Sequence, residues 1–342
     1  MEKKYKYLIL LNIFLLTSSL YSQNNSKYYD ETVKPRIRVI IDNDFGGDPD
    51  GLFQLAHHLL SPSVEVKGII GSHHYKDGFY DHPGTANYAC TQVKELLNVM
   101  QLTEKVPVFE GGSSSLTNNQ IPVISDGAKI IVKEAMRKDT KMPLYIVCGA
   151  GLTNIASAYL MEPQIAKKII LIWIGGAEHK GLGIPPPRVK NPEYNLGIDI
   201  KASQVIFNVS EIPIWQIPRD TYRQALFSFA ELIYKIKPCG ETGTFLIDKL
   251  ENLMKRANRS LGESYVLGDS PLVLLTALQT SWEADPASSK YILKPTPNIN
   301  EYGLYDEMSE KLKMRVYTNL DTRLMFEDFI AKLKLFSNKK EP

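Results

Sequence analysis

The sequence predicts an α/β protein with a mainly parallel, Rossmann-like central sheet flanked by helices and followed by a helical C-terminal elaboration. From residue 36 onward, short and continuously apolar runs alternate with segments that carry apolar residues at helical spacing. Strands that are apolar along their whole length are typical of parallel sheets covered by helices on both faces. The composition, 44% hydrophobic and 23% charged over 342 residues, excludes a largely disordered chain, a collagen-like fibre and a multi-span membrane protein.

Each predicted element follows from its own pattern. The strands are short apolar runs at 38–41, 64–71, 106–109, 144–148, 168–174 and 212–217. The helices show helical periodicity at 51–60, 84–100, 127–137, 152–160, 199–207, 227–235, 243–260 and 271–279. Pro62 ends the first helix. Because the sequence has no internal repeat and no linker-like stretch, residues 23–342 are predicted to form one domain.

The first 22 residues have the pattern of a secretory signal peptide. Lys3, Lys4 and Lys6 precede an apolar run at 7–16, and small polar residues follow it up to Ser22. The apolar run is shorter than the roughly 20 residues that a transmembrane helix needs. We therefore expect cleavage near Ser22, export to the periplasm or the medium, and no stable membrane insertion afterwards. An uncleaved signal anchor is the alternative.

The charge balance argues against a nucleic-acid partner. The chain has 40 Lys and Arg against 38 Asp and Glu, and the net charge of +2 comes entirely from the N-terminal 22 residues. A polyanion partner normally leaves a basic excess or a basic stripe.

The three cysteines, Cys90, Cys148 and Cys239, are predicted to be unpaired and structural. Their spacing resembles no zinc site.

An acidic loop directly follows the first predicted strand. Asp42, Asp44, Asp48 and Asp50 place four carboxylates within nine positions, and neighbouring glycines allow tight turns. Such carboxylates repel one another by about 4 kcal/mol at 4 Å and an effective dielectric of about 20, unless a cation compensates. Because oxygen ligands favour hard cations, the loop predicts a Ca²⁺ or Mg²⁺ site rather than zinc. An acidic surface turn is the alternative.

Five segments, in order along residues 36 to 280, carry a family resemblance. They are the aspartate cluster at 42–51, C-G-A-G-L-T-N-I-A at 148–156, I-G-G-A at 174–177, E-Y-N followed by D-x-x-A at 193–202, and L-G-D-S-P-L at 267–272. In this order they resemble D-x-D-x-G-x-D-D, G-P-L-T-N-x-A, M-G-G, E-x-N…D-x-x-A and H-D-P-L-A of the inosine-uridine-type nucleoside hydrolases. The resemblance implies the α/β fold of that family and metal-dependent hydrolysis of the N-glycosidic bond of ribonucleosides, which releases ribose and base.

The resemblance also implies roles for individual residues. Ca²⁺ would lie at the bottom of the pocket and bind a water and the ribose diol. The implied ligands are Asp44, which is also the general base for the water, the Thr153 backbone carbonyl, Asp269 and one of the paired aspartates. The implied substrate-binding residues are Asp48, Asn154, Glu193 and Asn195, with Asp42 as a support behind the ligands. An ungapped match puts Pro49 at a ligand position, so we prefer Asp48 toward the ribose and Asp50 toward the metal.

Two departures from the family pattern leave alternatives open. Gly268 stands where purine-using relatives carry a histidine that helps the base to leave, and Gly51 stands where some relatives carry a further aspartate. His73 and His74, at the end of the second strand, are the candidates for the missing acid. The alternatives are hydrolysis of another ribosyl or carbohydrate-related glycoside, and a non-catalytic ribosyl-binding protein. By analogy with the family, a homo-oligomer is also plausible.

Overall fold

A computed structural model describes residues 32–189, 191–280, 282, 288–306 and 312–338. The predicted signal peptide lies outside the described residues, so its cleavage stays a prediction. The main feature is an eight-stranded sheet with the order β3 (Val108–Glu110), β2 (Val64–Gly71), β1 (Ile37–Asn43), β4 (Leu144–Gly149), β5 (Ile169–Ile174), β6 (Ile214–Ile217), β12 (Lys313–Asn319) and β9 (Lys290–Pro295). All its neighbouring strands pair in parallel except β12 and β9, which are antiparallel. The predicted fold class is confirmed.

The strands and helices alternate through the first two thirds of the chain. The strands are β1 Ile37–Asn43, β2 Val64–Gly71, β3 Val108–Glu110, β4 Leu144–Gly149, β5 Ile169–Ile174, β6 Ile214–Ile217, β7 Leu226–Ser228, β8 Ser264–Val266, β9 Lys290–Pro295, β10 Asn298–Ile299, β11 Tyr305–Asp306 and β12 Lys313–Asn319. The α-helices are α1 Asp50–Leu59, α2 Ala86–Val99, α3 Asp126–Ala135, α4 Thr153–Met161, α5 Tyr194–Ile198, α6 Ile200–Gln204, α7 Arg219–Tyr222, α8 Phe229–Glu231, α9 Gly240–Ala257, α10 Pro271–Leu274 and α11 Thr322–Ser337. A 3₁₀ turn covers Pro163–Lys167, and π turns cover Val205–Val209 and Leu232–Ile236.

The central strands are buried on both faces, as continuous apolar runs predict. All seven residues of β1 are buried. Val39 and Ile41 belong to the hydrophobic cluster on one face of the sheet, and Ile40 belongs to the cluster on the other. Helices α1, α2 and α9 to α11 cover the first face, while α3, α4 and α6 cover the second. Both layers of helices therefore contribute apolar side chains to the core.

The C-terminal third contributes strands as well as helices. Strands β9 and β12 extend the main sheet beyond β6, and neither was predicted. Strand β12 alternates buried and more accessible residues, and it includes Lys313 and Arg315. The Arg315 guanidinium lies over the Trp215 ring, 4.1 Å from its centroid, so a charged side chain covers part of the apolar surface. The helix predicted at 227–235 is also incomplete, since its first residues form β7.

The strand order changes direction between β1 and β4. From β1 the chain proceeds outward to β2 and β3, and then returns to the other side of β1 to build β4, β5 and β6. In open α/β sheets, ligands bind at such a switch point, outside the carboxyl ends of the strands. Here Asn43 ends β1 and Gly149 ends β4, so this position coincides with the acidic loop.

Two further predictions concern cysteines and membranes. Cys90, Cys148 and Cys239 are all buried and unpaired, as predicted. No helix in the described part of the chain combines the length and apolarity that crossing a membrane requires.

Candidate active site

A cavity of about 320 Å³ opens at the switch point between β1 and β4. Three aspartates of the acidic loop meet at its wall with Glu193 and Asp269, which are distant in sequence. The described residues that line it are Asp44, Asp48, Asp50, Phe79, Gly149, Ile174, Glu193, Tyr194, Asn195, Tyr222, Arg223, Val266, Gly268 and Asp269. The acidic loop and Asp269 are therefore neighbours in space, although Asp50 and Asp269 are 219 positions apart in sequence.

Asp44 and Asp269 are buried carboxyl groups whose charges repel each other at the cavity. Burial raises the pKa of Asp44 well above its usual range, and the charges of Asp269 and Asp48 raise it further. Burial likewise raises the pKa of Asp269 to about 7, although a hydrogen bond from Asn43 opposes the shift. Both carboxyl groups are at most 8% exposed. Since like charges in a buried cleft disfavour ionisation, the pair binds protons readily unless a cation is present.

The loop aspartates Asp48 and Asp50 point in different directions. Asp48 Oδ1 accepts hydrogen bonds from the Tyr265 hydroxyl and from the Asp50 backbone N–H. Asp50 Oδ2 accepts the Asp269 backbone N–H at 3.2 Å, which joins the acidic loop to the distal segment. Burial raises the pKa of Asp48 to about 6 and that of Asp50 well above its usual range. Asp50 therefore lies nearer to Asp269, and Asp48 is held toward β8.

The donor set of this cavity fits a hard divalent cation in charge and in chemistry. Asp44, Asp48, Asp50 and Asp269 supply only oxygen atoms, and the charges of Asp48 and Asp269 raise the pKa of both Asp44 and Asp50. A bound cation would remove that repulsion. Within the described ranges, however, no three His, Cys, Asp or Glu side chains form a preassembled metal site. The residues fit the ion, and the side chains would have to close around it.

Glu193 and Asn195 line the same cavity, at the start of α5. Glu193 caps this helix, and its Oε2 accepts the backbone N–H groups of Leu196 at 3.1 Å and Gly176 at 2.7 Å. Its Oε1 accepts the Tyr222 hydroxyl at 3.0 Å. Asn195 Nδ2 donates to the Ile174 carbonyl at 2.8 Å. These bonds hold both side chains in fixed orientations at the cavity wall, as a binding role for the sugar requires.

Asn154 and Thr153 lie outside the set of described residues that line the cavity. Asn154 Nδ2 donates to Asp42 and to Ser72, while its Oδ1 accepts the Gly112 N–H at 2.8 Å. The Thr153 hydroxyl donates to Asp199 at 2.7 Å. Asn154 thus ties the ends of three strands together, and its contact with substrate stays a prediction. The metal-binding role of the Thr153 carbonyl stays a prediction.

His73 and His74 are not among the described residues that line the cavity, although the His74 ring lies 6.3 Å from that of Phe79, which does line it. His73 Nδ1 donates to the Gly112 carbonyl at 2.9 Å. Burial lowers the pKa of His73, and burial together with the neighbouring His73 lowers that of His74 to about 4. Both shifts favour the neutral form of the rings, and the role of His73 and His74 as the leaving-group acid stays a prediction.

The residues on the outer side of the cavity were not predicted as a group. Phe79, Tyr194, Tyr222 and Arg223 line the cavity together with Gly268. A Cβ atom on Gly268 would lie 3.4 Å from Tyr222 Cδ2 and 3.2 Å from Asp50 Oδ2. The sequence carried one signal, since an aromatic residue and an arginine follow the β6 strand end, but it did not show which of them face the cavity.

A larger cavity, of about 800 Å³, lies beyond the ends of β5 and β6. Its wall includes Glu178, His179 and Arg219, and the Arg219–Glu178 ion pair is nearly buried, with a shortest N–O distance of 2.5 Å. Because the larger cavity lacks the aspartate cluster, the smaller cavity is the better candidate for chemistry.

Gly149 is required by the close approach of Asn43 and Asp269. A Cβ atom there would lie 2.6 Å from Asn43 Nδ2 and 2.7 Å from Asp269 Oδ1. We expect Gly149→Ala to lower the free energy of unfolding by about 1–3 kcal/mol and to displace Asp269. Calorimetric unfolding and a Ca²⁺ titration measure the two effects.

Gly68→Ala is the steric control for that change. Its Cβ would lie 2.8 Å from the Phe109 ring, in the core and away from the cavity. This variant should lose stability without a change in Ca²⁺ binding. If Gly149→Ala bound Ca²⁺ as the unmodified protein does, the cavity floor would be more tolerant than its geometry indicates.

Comparisons with known proteins agree with this fold. The sequence profile of the family described as inosine-uridine preferring nucleoside hydrolase matches residues 39–325. A comparison with curated protein sequences finds no match. Among solved structures, the chain is similar to a purine-preferring ribonucleoside hydrolase from Gardnerella vaginalis, with 20% identity and a TM-score of 0.68, over 88% of this chain and 99% of that one.

Two more solved structures share the fold. A plant nucleoside hydrolase has 17% identity and a TM-score of 0.66, over 88% of this chain and 99% of its own. An inosine-uridine preferring nucleoside hydrolase from Bacillus anthracis has 16% identity and a TM-score of 0.58, over 87% and 99%. At these identities the solved structures show only that the fold is shared. The family is shown by the sequence profile, which matches most of the chain. The chain therefore belongs to the inosine-uridine preferring nucleoside hydrolase family, and its enzyme class is that of an N-glycosyl hydrolase.

Proposed function

We propose that this protein hydrolyses the N-glycosidic bond of ribonucleosides with the help of Ca²⁺, and that Asp44 is the general base. One observation carries the proposal: Asp44, Asp48, Asp50 and Asp269 line a single cavity at the sheet's switch point, together with Glu193 and Asn195. Metal dependence accords with the family. The preference for Ca²⁺ follows from the all-oxygen donor set and from a loop flexible enough to supply several carboxylates.

In this proposal Asp44 takes a proton from the attacking water. Its backbone N–H donates to Asn43 Oδ1 at 2.8 Å, which fixes the start of the loop. Asp44, Asp50 and Asp269 are the side chains that would hold Ca²⁺, and the ion, when bound, would orient a water and lower its pKa. Ionised Asp44 then accepts the proton, a contribution of about 10²–10⁴-fold in rate for general base catalysis.

The carboxylates also match the charge that develops on the sugar. Cleavage of an N-glycosidic bond gives the ribose oxocarbenium-like positive charge. Asp48 and Glu193 lie at the cavity wall, and both are buried enough for their pKa values to be raised. Negative groups held in a low-dielectric site stabilise such a transition state without reorganising. Asn195, anchored on the Ile174 carbonyl, is placed to hydrogen-bond a ribose hydroxyl.

The leaving group is proposed to meet Arg223 rather than a histidine. Arg223 is the only lysine or arginine among the described residues that line the cavity, and its side chain is exposed to solvent. The Tyr222 hydroxyl already donates to Glu193, and burial raises the pKa of this phenol, so it stays protonated. A guanidinium near the departing base would stabilise its negative charge, which compensates for Gly268.

The direct test is release of ribose from a panel of purine and pyrimidine nucleosides by the purified protein plus Ca²⁺. We expect release that is lost with chelator and restored by added Ca²⁺. Release from other ribosyl glycosides but not from nucleosides would favour the alternative substrate class. Tight ribose binding with no release from any substrate would instead show a non-catalytic ribosyl-binding protein, and the proposed reaction would be wrong.

A further inference from the structure

Asn43 joins two of the aspartates that line the cavity, although it is itself buried beneath them. Its Oδ1 accepts the Asp44 backbone N–H at 2.8 Å, and its Nδ2 donates to Asp269 Oδ2 at 2.9 Å. Asn43 is fully buried. Because the Asp44 backbone N–H is necessarily a donor, the Asn43 amide can face only one way, with its NH₂ group toward Asp269.

A chain of hydrogen bonds continues from Asn43 through the first helix. Asn43 Nδ2 also donates to Gln54 Oε1 at 3.4 Å, and Gln54 Nε2 donates to His58 Nδ1. His58 Nε2 then bonds the Thr276 hydroxyl at 2.9 Å, and that hydroxyl donates to the Leu272 carbonyl at 2.6 Å. All of these side chains are buried.

The direction of every bond in this chain is determined. Since Asn43 presents NH₂, the facing atom of Gln54 must be its oxygen, and its nitrogen faces His58. His58 therefore accepts at Nδ1 and carries its proton on Nε2. Burial lowers the pKa of His58 well below its usual range, which accords with a neutral ring.

The chain closes on the segment that carries Asp269. Leu272 lies three residues after Asp269, and its backbone N–H donates to the Asp269 carbonyl at 3.1 Å. The side chain and the backbone of the distal aspartate are thus linked to the same helix, α1. Gly51 leaves room for this arrangement, because a Cβ atom there would lie 3.0 Å from Asn43 Nδ2 and 3.3 Å from Asp269 Oδ2.

We propose that Asn43 is a positioning residue for the cation site, and that the Gln54–His58–Thr276 chain sets the orientation in which it holds Asp269. The inference rests on the proposed function, since it assigns Asp44 and Asp269 to the cation. It also explains the glycine at position 51: a side chain there would displace the Asn43–Asp269 pair.

The test compares two adjacent histidines on the same helix. His57 and His58 are 2% and 1% exposed, but His57 Nε2 bonds Asp328 on α11, away from the cavity. Asn43→Leu, His58→Leu and His57→Leu are titrated with Ca²⁺ by calorimetry, and their unfolding is measured in chelator. Thr276→Val removes the last side-chain link with little change in shape. This variant replaces His58→Leu in the titration if His58→Leu does not fold.

Loss of an outer hydrogen-bond partner typically weakens metal binding by about 10- to 100-fold. We expect a loss of that size for Asn43→Leu and a smaller but measurable loss for His58→Leu or Thr276→Val. His57→Leu should lower the unfolding temperature in chelator and leave Ca²⁺ affinity unchanged.

The outcomes separate this inference from the proposed function. If the unmodified protein binds Ca²⁺ and Asn43→Leu and His58→Leu bind it equally well, Asn43 is only structural and the inference is overturned alone. If His57→Leu weakens binding as much as His58→Leu, the effect is general destabilisation and the chain has no special role. If the unmodified protein binds no Ca²⁺, the proposed function and this inference both fail.

Discussion

Asp44→Asn is expected to lower kcat by about 10²–10⁴-fold, because the amide cannot accept a proton from the attacking water. The change keeps the shape of the side chain and removes one of the buried charges that repel each other around the cavity. The variant should therefore stay folded, and in chelator it should be at least as stable as the unmodified protein. Steady-state kinetics of ribose release and thermal unfolding measure both effects.

Asp126→Asn is the control for that variant. Asp126 lies at the start of α3, where its side chain is 69% exposed and pairs with Lys129, so its loss should leave turnover unchanged. Turnover by Asp44→Asn at the unmodified rate would remove Asp44 as the general base and leave Asp50 or Asp269 to be tested in that role.

Calcium should control how the stability of the protein depends on pH. In chelator, burial holds the pKa of Asp48 at about 6 and those of Asp42 and Asp269 at about 7, above the value of about 3.9 in an unfolded chain. The folded protein thus keeps protons that the unfolded chain releases. This contribution is complete below about pH 4 and is lost as the pH rises through 6 to 7.

Buried histidines with lowered pKa values act in the opposite direction, but they do so with Ca²⁺ and with chelator alike. The difference in unfolding free energy between the protein with Ca²⁺ and the protein in chelator should therefore widen between about pH 4 and pH 8. Ca²⁺ at 100 times its Kd should restore about 2.7 kcal/mol at neutral pH, because it binds only the folded state. Thermal unfolding at pH 5 and pH 8, with Ca²⁺ or with chelator, measures this. If Ca²⁺ gave no shift at pH 8, the aspartate cluster would not be a cation site.

The sequence predicted those strands and loops whose formation depends on residues that are neighbours along the chain. The short apolar run at 38–41 predicts a strand that is buried on both faces. All residues of β1 are indeed buried. The acidic loop follows that strand directly, so its position at the edge of the sheet could also be predicted. By contrast, β12 has accessible charged residues between buried ones, and its place beside β6 depends on packing with Trp215.

The candidate site was predictable as a set of residues but not as an arrangement. Asp44 and Asp269 were recognised from motifs, and both line the cavity. Asn154 belongs to an equally clear motif, yet its amide is used to tie strand ends together. His73 and His74 end a strand beside the acidic loop, but burial favours the neutral form of both rings.

The sequence by itself determined the parallel sheet, the family and the carboxylates available for chemistry, because these follow from apolar periodicity and from short motifs. Only the tertiary structure decided which side chains share the cavity and which support it. The reason is physical: Asn43 meets Asp269 across 226 positions, and His58 meets Thr276 across 218. Contacts of that range depend on the packing of α1 and α10 against the sheet, and the residues that make them carry no local signal of it.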